Sequence, residues 1–135
     1  GADYQVATYE EIAAGALGDL RVDLVVINFA LIGAESVDRL LGHVPRLLTP
    51  GGALVMQTLH PVVAGGDLPY KEGWREGSWA GFTCHFTDPP PWYFRPLESW
   101  VRLIVGTGLR LVEILEPVHP ETLRPASVIF VALTV

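Results

Sequence analysis

Several kinds of residue are scarce in this sequence of 135 residues. The single cysteine, Cys84, cannot form an internal disulfide, which favours a reducing compartment and hence the cytoplasm. Lys71 is the one lysine, the basic residues form no cluster and the net charge is −6, so we expect no nucleic-acid partner. No apolar run approaches the roughly 18–20 residues of a membrane span, so we expect no membrane partner.

Motifs for several kinds of catalysis are missing as well. The sequence contains no Gly-x-Gly-x-Gly turn, and Gly15–Gly18 is too sparse to serve as a nucleotide loop. It has no Gly-x-Ser-x-Gly elbow. One cysteine and scattered histidines make neither a catalytic triad nor a metal site. The sequence therefore argues against a hydrolase and predicts no bound metal.

Apolar residues, in contrast, make up half of the sequence. That content suits either a domain with a full core or a piece of a larger domain with one face meant to be covered. Asp23–Asn28 and Ala53–Leu59 are apolar on both faces, which is typical of strands in a parallel sheet. Between them, apolar residues recur on one face of a helix: Val37, Leu40, Leu41, Val44, Leu47 and Leu48. The pattern predicts a right-handed βαβ unit.

The borders of these elements can also be predicted. Ser36 is the expected N-cap of the helix, and Pro45 should kink or end it, because proline removes a backbone hydrogen bond. Pro50–Gly52 is expected to form a tight turn. An earlier strand is expected at Tyr4–Tyr9, followed by a helical turn. After Pro96 the pattern predicts one more helix, a strand ending near Leu115 and a closing strand.

Residues 62–95 differ from the rest of the chain, being rich in glycine, proline and aromatic side chains. Structureless loops of this length are uncommon in compact domains unless they bind something. The aromatic side chains could wall a water-excluding substrate pocket as a lid. They could equally seal an open edge of the sheet. Arg75 and Arg95 are candidate contacts for a substrate anion, with surface ion pairs as the alternative.

Four stretches carry a resemblance to a known family. Asp23–Leu31, the helix after it and Leu47–Pro61 resemble the fourth strand, following helix and fifth strand of class I S-adenosylmethionine-dependent methyltransferases. Gly73–Phe82 and Pro91–Arg102 are similar to the same small-molecule, methyltransferase 11/12-like type. The resemblance implies an α/β fold: a partial Rossmann-like methyltransferase sheet of parallel strands, with an antiparallel carboxyl-terminal strand pair and helices on the faces. It also implies a single domain over residues 1–135, with residues 62–95 as an aromatic-rich lid insertion.

The resemblance implies S-adenosylmethionine as cofactor and S-adenosylhomocysteine as product. Thr8 and Tyr9 match the turn that contacts the adenine, although the family's acidic side chain is absent there and only the Tyr9 backbone N–H could serve. Asn28, Phe29 and Ala30 follow a strand whose carboxyl end lies where ligands bind in open α/β sheets. By the resemblance, they face the methionine part of the cofactor.

The implied reaction is SN2 transfer of a methyl group to an oxygen, nitrogen or carbon atom of a small molecule, mainly by alignment and exclusion of water. His60, after the second strand of the βαβ unit, is the candidate general base; otherwise it is a loop histidine bonded to the backbone. The resemblance and the aromatic content of the lid give the candidate substrate contacts: Trp74, Arg75, Trp79, Phe82, Trp92 and Tyr93.

The family's first two strands, its Gly-rich turn and its ribose-binding acid have no counterpart before Tyr4. We therefore expect the carboxyl-terminal portion of a methyltransferase domain, one that binds S-adenosylmethionine weakly or not at all by itself. The strand at Asp23–Asn28 would lack its natural neighbour. Either Tyr4–Thr8 or a second copy of the chain should cover that edge, which makes a homodimer a candidate assembly. The alternative to an enzyme is a non-catalytic, dimerising interaction module derived from a truncated methyltransferase.

Overall fold

A computed structural model of the chain describes residues 1–78 and 87–135. Its helices and strands follow in this order: α1 (Tyr9–Ala13), β1 (Val22–Asn28), α2 (Glu35–Leu47), β2 (Leu48–Leu59), α3 (Pro61–Ala64), β3 (Gly73–Arg75), β4 (Trp92–Phe94), α4 (Leu97–Gly106), β5 (Arg110–Leu115) and β6 (Ser127–Leu133). The helix and two strands predicted after Pro96 are therefore confirmed. No helix within the described ranges is both long and apolar enough to cross a membrane.

Within the described residues, the main sheet has four strands in the order β1-β2-β6-β5. β1 and β2 run parallel, whereas β6 runs antiparallel to both of its neighbours. This arrangement confirms the fold class, in which parallel strands are followed by an antiparallel pair at the carboxyl end. β3 and β4 form a separate antiparallel ribbon, with Gly73 opposite Phe94 and Arg75 opposite Trp92.

The core lies on one face of the main sheet, beneath α2 and α4. The predicted apolar face of α2 is confirmed, because five of its residues are buried: Val37, Leu40, Leu41, Val44 and Leu47. All of them except Leu47 belong to one core cluster with Met56, Phe130 and Trp100. Full burial of one such aliphatic side chain stabilises the fold by about 1.5–3 kcal/mol.

The opposite face of β1 is different, and here the prediction of a strand buried on both faces is wrong. Val25 and Ile27 pack against the core, whereas Leu24 and Val26 remain 52% and 62% exposed. Alternate residues of a strand point to opposite faces, so α2 can cover only one of the two sets. The described part of the chain leaves the second face of β1 largely to solvent.

β1 is also an edge strand, and the strand predicted over Tyr4–Tyr9 is wrong. Thr8 instead caps α1: its Oγ1 atom accepts a hydrogen bond from the N–H of Glu11 at 3.1 Å. The Glu11 carboxylate in turn accepts from the N–H of Thr8 at 2.8 Å. This reciprocal capping box satisfies two backbone donors locally, and the segment before it does not reach the edge of β1.

Two predicted borders of the βαβ unit also differ from the structure. Ala34, not Ser36, is the N-cap of α2, and no side chain caps the helix there. α2 continues past Pro45 to Leu47, because a proline in the last turn removes only one backbone hydrogen bond. Pro45 therefore does not end the helix, and the predicted alternative of a kink at Pro45 stays a prediction.

The turn predicted at Pro50–Gly52 lies inside β2 as an irregularity of the parallel pairing. Val22 is opposite Leu48, whereas Leu24 is already opposite Ala53. Gly51 supplies the backbone conformation that this bulge needs, with a φ of +78° that other residues rarely adopt. Beyond the bulge, β1 and β2 run in register to their carboxyl ends.

Candidate active site

The carboxyl ends of β1 and β2 lie side by side, with Asn28 opposite Gln57. The next residue, Phe29, adopts a left-handed conformation with a φ of +50°. Its N–H donates to the carbonyl of Gln57 at 2.9 Å, which holds the turn at the strand end. A non-glycine residue in this region costs about 1–2 kcal/mol, and strain of this kind occurs often at ligand sites.

Tyr9 joins the start of α1 to the end of β1. Its phenol donates a hydrogen bond to the carbonyl oxygen of Ala30 at 2.5 Å. The structure therefore brings the predicted cofactor residues of the two segments into one neighbourhood. Burial of the Tyr9 side chain raises its pKa above the ordinary value of 10.0, because desolvation disfavours the phenolate. At neutral pH Tyr9 is consequently a hydrogen-bond donor.

The loop between β1 and α2 is held in place by Arg95, which is only 4% exposed. Its Nη1 atom donates to the carbonyl of Gly33 at 2.9 Å and its Nη2 atom to the carbonyl of Ala34 at 2.9 Å. Nη2 also donates to Oδ1 of Asp38 at 2.8 Å. The Arg95 guanidinium, a candidate contact for a substrate anion, is thus hydrogen-bonded within the protein.

Aromatic rings complete the surroundings of Arg95. Its guanidinium carbon lies 4.7 Å from the ring centre of Tyr93 and 5.0 Å from that of Trp100. Both distances suit a cation–π interaction. The backbone N–H of Tyr93 donates to the carbonyl of Ile32 at 2.8 Å. Sequence reasoning missed this role of Arg95, although the aromatic residues immediately before it are a visible signal.

Arg75 is engaged in a similar way. It donates to the carbonyl of Gly65 at 3.3 Å and to that of Pro69 at 2.9 Å. Its guanidinium carbon lies 4.4 Å from the centre of the Phe94 ring. These contacts tie the chain after α3 to the β3–β4 ribbon. The predicted substrate contact of Arg75 stays a prediction.

A cavity of about 510 Å³ opens at the carboxyl ends of β1 and β2. Its walls come from the loop after β1, the end of β2 and the beginning of α3, and from β4 and α4. Most lining side chains are apolar or aromatic: Phe29, Ile32, Leu59, Trp92, Tyr93 and Trp100. This volume and lining are typical of sites for small organic molecules.

The predicted substrate contacts divide into three groups. Trp92 and Tyr93 line the cavity. Trp74 does not: it is 60% exposed and packs edge-on against Tyr93, with ring centres 5.5 Å apart. Trp79 and Phe82 lie outside the described residues. The structure thus brings two of the predicted substrate residues together with the predicted cofactor residue Phe29.

His60 lies directly after β2 and is 2% exposed. Its Nδ1 atom accepts a hydrogen bond from the N–H of Val62 at 3.2 Å, which caps α3. Because Nδ1 accepts, the ring proton of the neutral form resides on Nε2, and Nε2 donates to Oε1 of Glu116 at 2.7 Å. Both ring nitrogens are therefore occupied by the protein, and the general-base role stays a prediction.

Comparison with solved structures gives a consistent picture. An S-adenosylmethionine-dependent methyltransferase of Listeria monocytogenes superposes with a TM-score of 0.67 over 92% of this chain, at 18% identity. One from Mesorhizobium loti has a TM-score of 0.61 over 84%, at 21% identity. The fold is that of S-adenosylmethionine-dependent methyltransferases. No family profile and no curated protein sequence matches this chain.

A third methyltransferase fold extends the comparison. The 1,6-didemethyltoxoflavin-N1-methyltransferase of Burkholderia thailandensis has a TM-score of 0.60 over 87% of this chain, at 14% identity. Our chain spans 66%, 62% and 45% of the three neighbours' own lengths. It therefore corresponds to part of each methyltransferase fold.

Proposed function

We propose that this chain is the carboxyl-terminal part of an enzyme that transfers a methyl group from S-adenosylmethionine to a small-molecule acceptor. The main observation in support of this proposal is the cavity at the carboxyl ends of β1 and β2, which is lined by Phe29, Trp92 and Tyr93. A ligand at this edge of a parallel sheet lies where backbone groups stop pairing and become available. A cytoplasmic location stays a prediction from the cysteine content.

The neighbours' ligands support this proposal. The Burkholderia protein was crystallised with S-adenosylhomocysteine and with 1,6-didemethyltoxoflavin. A glycopeptide N-methyltransferase with a TM-score of 0.60 was crystallised with S-adenosylmethionine. Both enzymes act on nitrogen, but the acceptor atom in the reaction proposed for our chain is open to oxygen, nitrogen or carbon.

The residues around the end of β1 fit one side of the cofactor. The proposed contacts are the N–H of Tyr9 for the adenine and the segment Asn28–Ala30 for the methionine part. Thr8 can add little from its N–H and Oγ1, because both are used in the capping box. The sequence supplies no Gly-rich turn, so these residues provide only part of a complete cofactor site. When bound, S-adenosylmethionine supplies a methyl group on a sulfonium that a nucleophilic acceptor atom can attack.

The chain's own part in the reaction is to bind and align the acceptor. Trp92 and Tyr93 offer flat apolar surfaces, and Phe29 lies where the proposed cofactor and acceptor sites meet. Fixing two reactants in an attack geometry can lower the barrier by about 7–11 kcal/mol. Apolar walls also exclude water from the transfer. Such a site needs no catalytic base when the acceptor atom is already nucleophilic.

Calorimetric titration with S-adenosylhomocysteine tests the proposal. The 135-residue chain should bind weakly or not at all, whereas the protein translated from the whole reading frame should bind measurably. Release of S-adenosylhomocysteine in the presence of small-molecule acceptors would then report turnover. Failure of the whole protein to bind would contradict the proposed enzyme. Micromolar binding by this chain alone would contradict its proposed dependence on further residues.

A second function, a dimerising interaction module without catalysis, is favoured by one observation. β1 is an edge strand, and its Leu24 and Val26 are more than half exposed. Pairing of two β1 edges would join two sheets and cover unpaired backbone groups. If the chain is such a module, we expect a stable dimer, and we expect that the whole protein does not bind S-adenosylhomocysteine. The enzyme predicts cofactor binding regardless of the assembly.

A further inference from the structure

We infer that the 510 Å³ cavity selects a flat, uncharged ring system as acceptor and discriminates against acceptors that carry a carboxylate or phosphate. This inference rests on the proposed function only in that it calls the ligand an acceptor. The preference of the cavity for one ligand over another follows from its charges and rings, and it can be measured without the cofactor.

Charge at the cavity is the first argument. Among the described residues that line it, Arg95 is the only one with an ionisable acidic or basic group other than the tyrosine phenol. Arg95 donates to two backbone carbonyls and to Asp38, so its charge is offset by a carboxylate and three of its five N–H donors are used. Among the described lining residues, an anion entering the cavity would find no unpaired cation to offset its lost hydration, and burying an unpaired charge is costly.

Arg75, the other arginine of the aromatic-rich stretch, does not alter this conclusion. It is absent from the cavity lining and donates to the carbonyls of Gly65 and Pro69. Its charge lies against the ring of Phe94, at 4.4 Å from the ring centre, and Phe94 itself lines the cavity. In both arginines each terminal nitrogen already donates to a group of the protein, which disfavours bidentate binding of a carboxylate.

Ring geometry is the second argument. Trp92 and Phe94 meet edge-to-face, with ring centres 5.9 Å apart, so their orientations are fixed by each other. Tyr93 is held through its backbone bond to Ile32 and by the cation above its ring. Rigid aromatic walls favour ligands that can stack on them or meet them edge-on. A planar ring system uses these walls better than a flexible chain does.

The hydroxyl groups of Thr58 and Tyr93 give the lining a small polar component. Neutral groups can orient a hydroxyl or ring nitrogen of an acceptor by hydrogen bonds, at much lower desolvation cost than a charge. The cavity therefore has the composition of a site that recognises an uncharged heterocycle or phenol. The size of the cavity is within the usual range for drug-sized ligands.

The test compares 2-naphthol with 2-naphthoate at pH 7, using this chain and saturation-transfer NMR titrations. The two probes share one ring system and differ in charge. We expect 2-naphthol to bind at least about tenfold more tightly, a difference of about 1.4 kcal/mol. Equal or tighter binding of 2-naphthoate would overturn the inference, and so would the absence of binding by either probe.

Single substitutions test whether 2-naphthol binds in this cavity. Trp92→Ala should weaken 2-naphthol binding about tenfold or more, whereas Trp92→Phe should retain most of it and controls for loss of folding. Tyr4→Ala is the control, because Tyr4 is an aromatic residue that is 91% exposed and lies outside the cavity lining. Equal losses from Tyr4→Ala and Trp92→Ala would overturn the assignment to this cavity.

A gain-of-binding variant tests the charge argument directly. Ile32 lines the cavity and is 50% exposed, so Ile32→Lys places a cation at its rim without disturbing the core. We expect the affinity for 2-naphthoate to rise several-fold while that for 2-naphthol changes little. No gain for the anion would contradict the charge argument. Turnover of an anionic acceptor by the whole protein would overturn this inference and leave the proposed methyl transfer intact.

Discussion

The Nη2 atom of Arg95 lies 2.8 Å from Oδ1 of Asp38, which ties the residue after β4 to the first turn of α2. The same guanidinium donates to the carbonyls of Gly33 and Ala34 just before that helix. One side chain thus fixes the loop that begins at Phe29 and forms one wall of the cavity. The geometry of the site depends on a contact between residues 57 positions apart in the sequence.

Replacing Arg95 should therefore destabilise the fold. Arg95→Met leaves two carbonyls and Asp38 without their donor, and we expect the free energy of unfolding to fall by about 3 kcal/mol. Arg102→Met is the matched control, since Arg102 is exposed and lies 3.9 Å from Glu98. Exposed pairs of this kind contribute about 0–1 kcal/mol. Urea unfolding measures both; similar values for the two variants would refute the role of Arg95.

Ionisation of Tyr9 should lower the free energy of unfolding at alkaline pH. Its pKa is raised in the folded chain, so the folded state retains the phenol proton to a higher pH than the unfolded state does. The corresponding stability is complete below the ordinary value of 10.0 and is lost as the pH rises through the folded pKa. Spectrophotometric titration at alkaline pH should show that Tyr9→Phe removes a phenol whose pKa lies above 10.0. Removal of a normally titrating phenol would contradict this.

His60 should contribute to stability through both ring nitrogens. His60→Ala removes the cap on the Val62 N–H and the partner of Glu116, so we expect a loss of about 1–2 kcal/mol. His60→Asn can still accept from that N–H and should recover part of the loss. Thermal or urea unfolding of the two variants measures the difference. Equal losses would show that the cap adds little.

The same variant separates structure from catalysis at His60. A general base typically contributes about 10²–10⁴-fold to the rate. Asparagine cannot replace it as a base, although it can cap the helix. If His60 is the base, turnover by folded His60→Asn should fall by at least about a hundredfold. Unchanged turnover would leave His60 with the structural role alone.

The β1 edge should govern self-association. Leu24 and Val26 are exposed on β1, and no described segment pairs with its outer edge. We expect sedimentation velocity to show a concentration-dependent dimer, and Val26→Lys to weaken it at least about tenfold, because lysine on an edge strand opposes pairing. Val105→Lys, at an equally exposed position on α4, should leave the dimer unchanged. A monomer at all concentrations would exclude this assembly.

Much of the architecture could be predicted from local patterns. The helical spacing from Val37 to Leu47 depends only on the period of the α-helix, and the structure buries that face. The strand arrangement followed from the resemblance to methyltransferases, and the pairing of β1, β2, β6 and β5 agrees with it. Both features follow from the order of the elements along the chain and from the periodicity within each element, and this periodicity arises from interactions between residues close in sequence.

One error could have been avoided from the sequence itself. Thr8-Tyr9-Glu10-Glu11 has the spacing of a capping box, with threonine at the N-cap and glutamate three positions later. The expected strand at Tyr4–Tyr9 overlaps the first residues of this capping box. Two local hydrogen bonds outweigh a short pattern that has no partner strand, since an isolated strand leaves its backbone groups unpaired.

The sequence by itself determined the α/β class, the buried face of α2 and the placement of Asn28–Ala30 at a strand end. Only the tertiary structure decided that Arg95 holds the β1–α2 loop, that His60 is enclosed by Val62 and Glu116, and that one face of β1 is left uncovered. The physical reason is the separation in sequence between the interacting residues. Periodicity and turns arise between residues close in sequence, whereas the partners of a long polar side chain depend on which distant backbone groups the packed chain leaves unsatisfied.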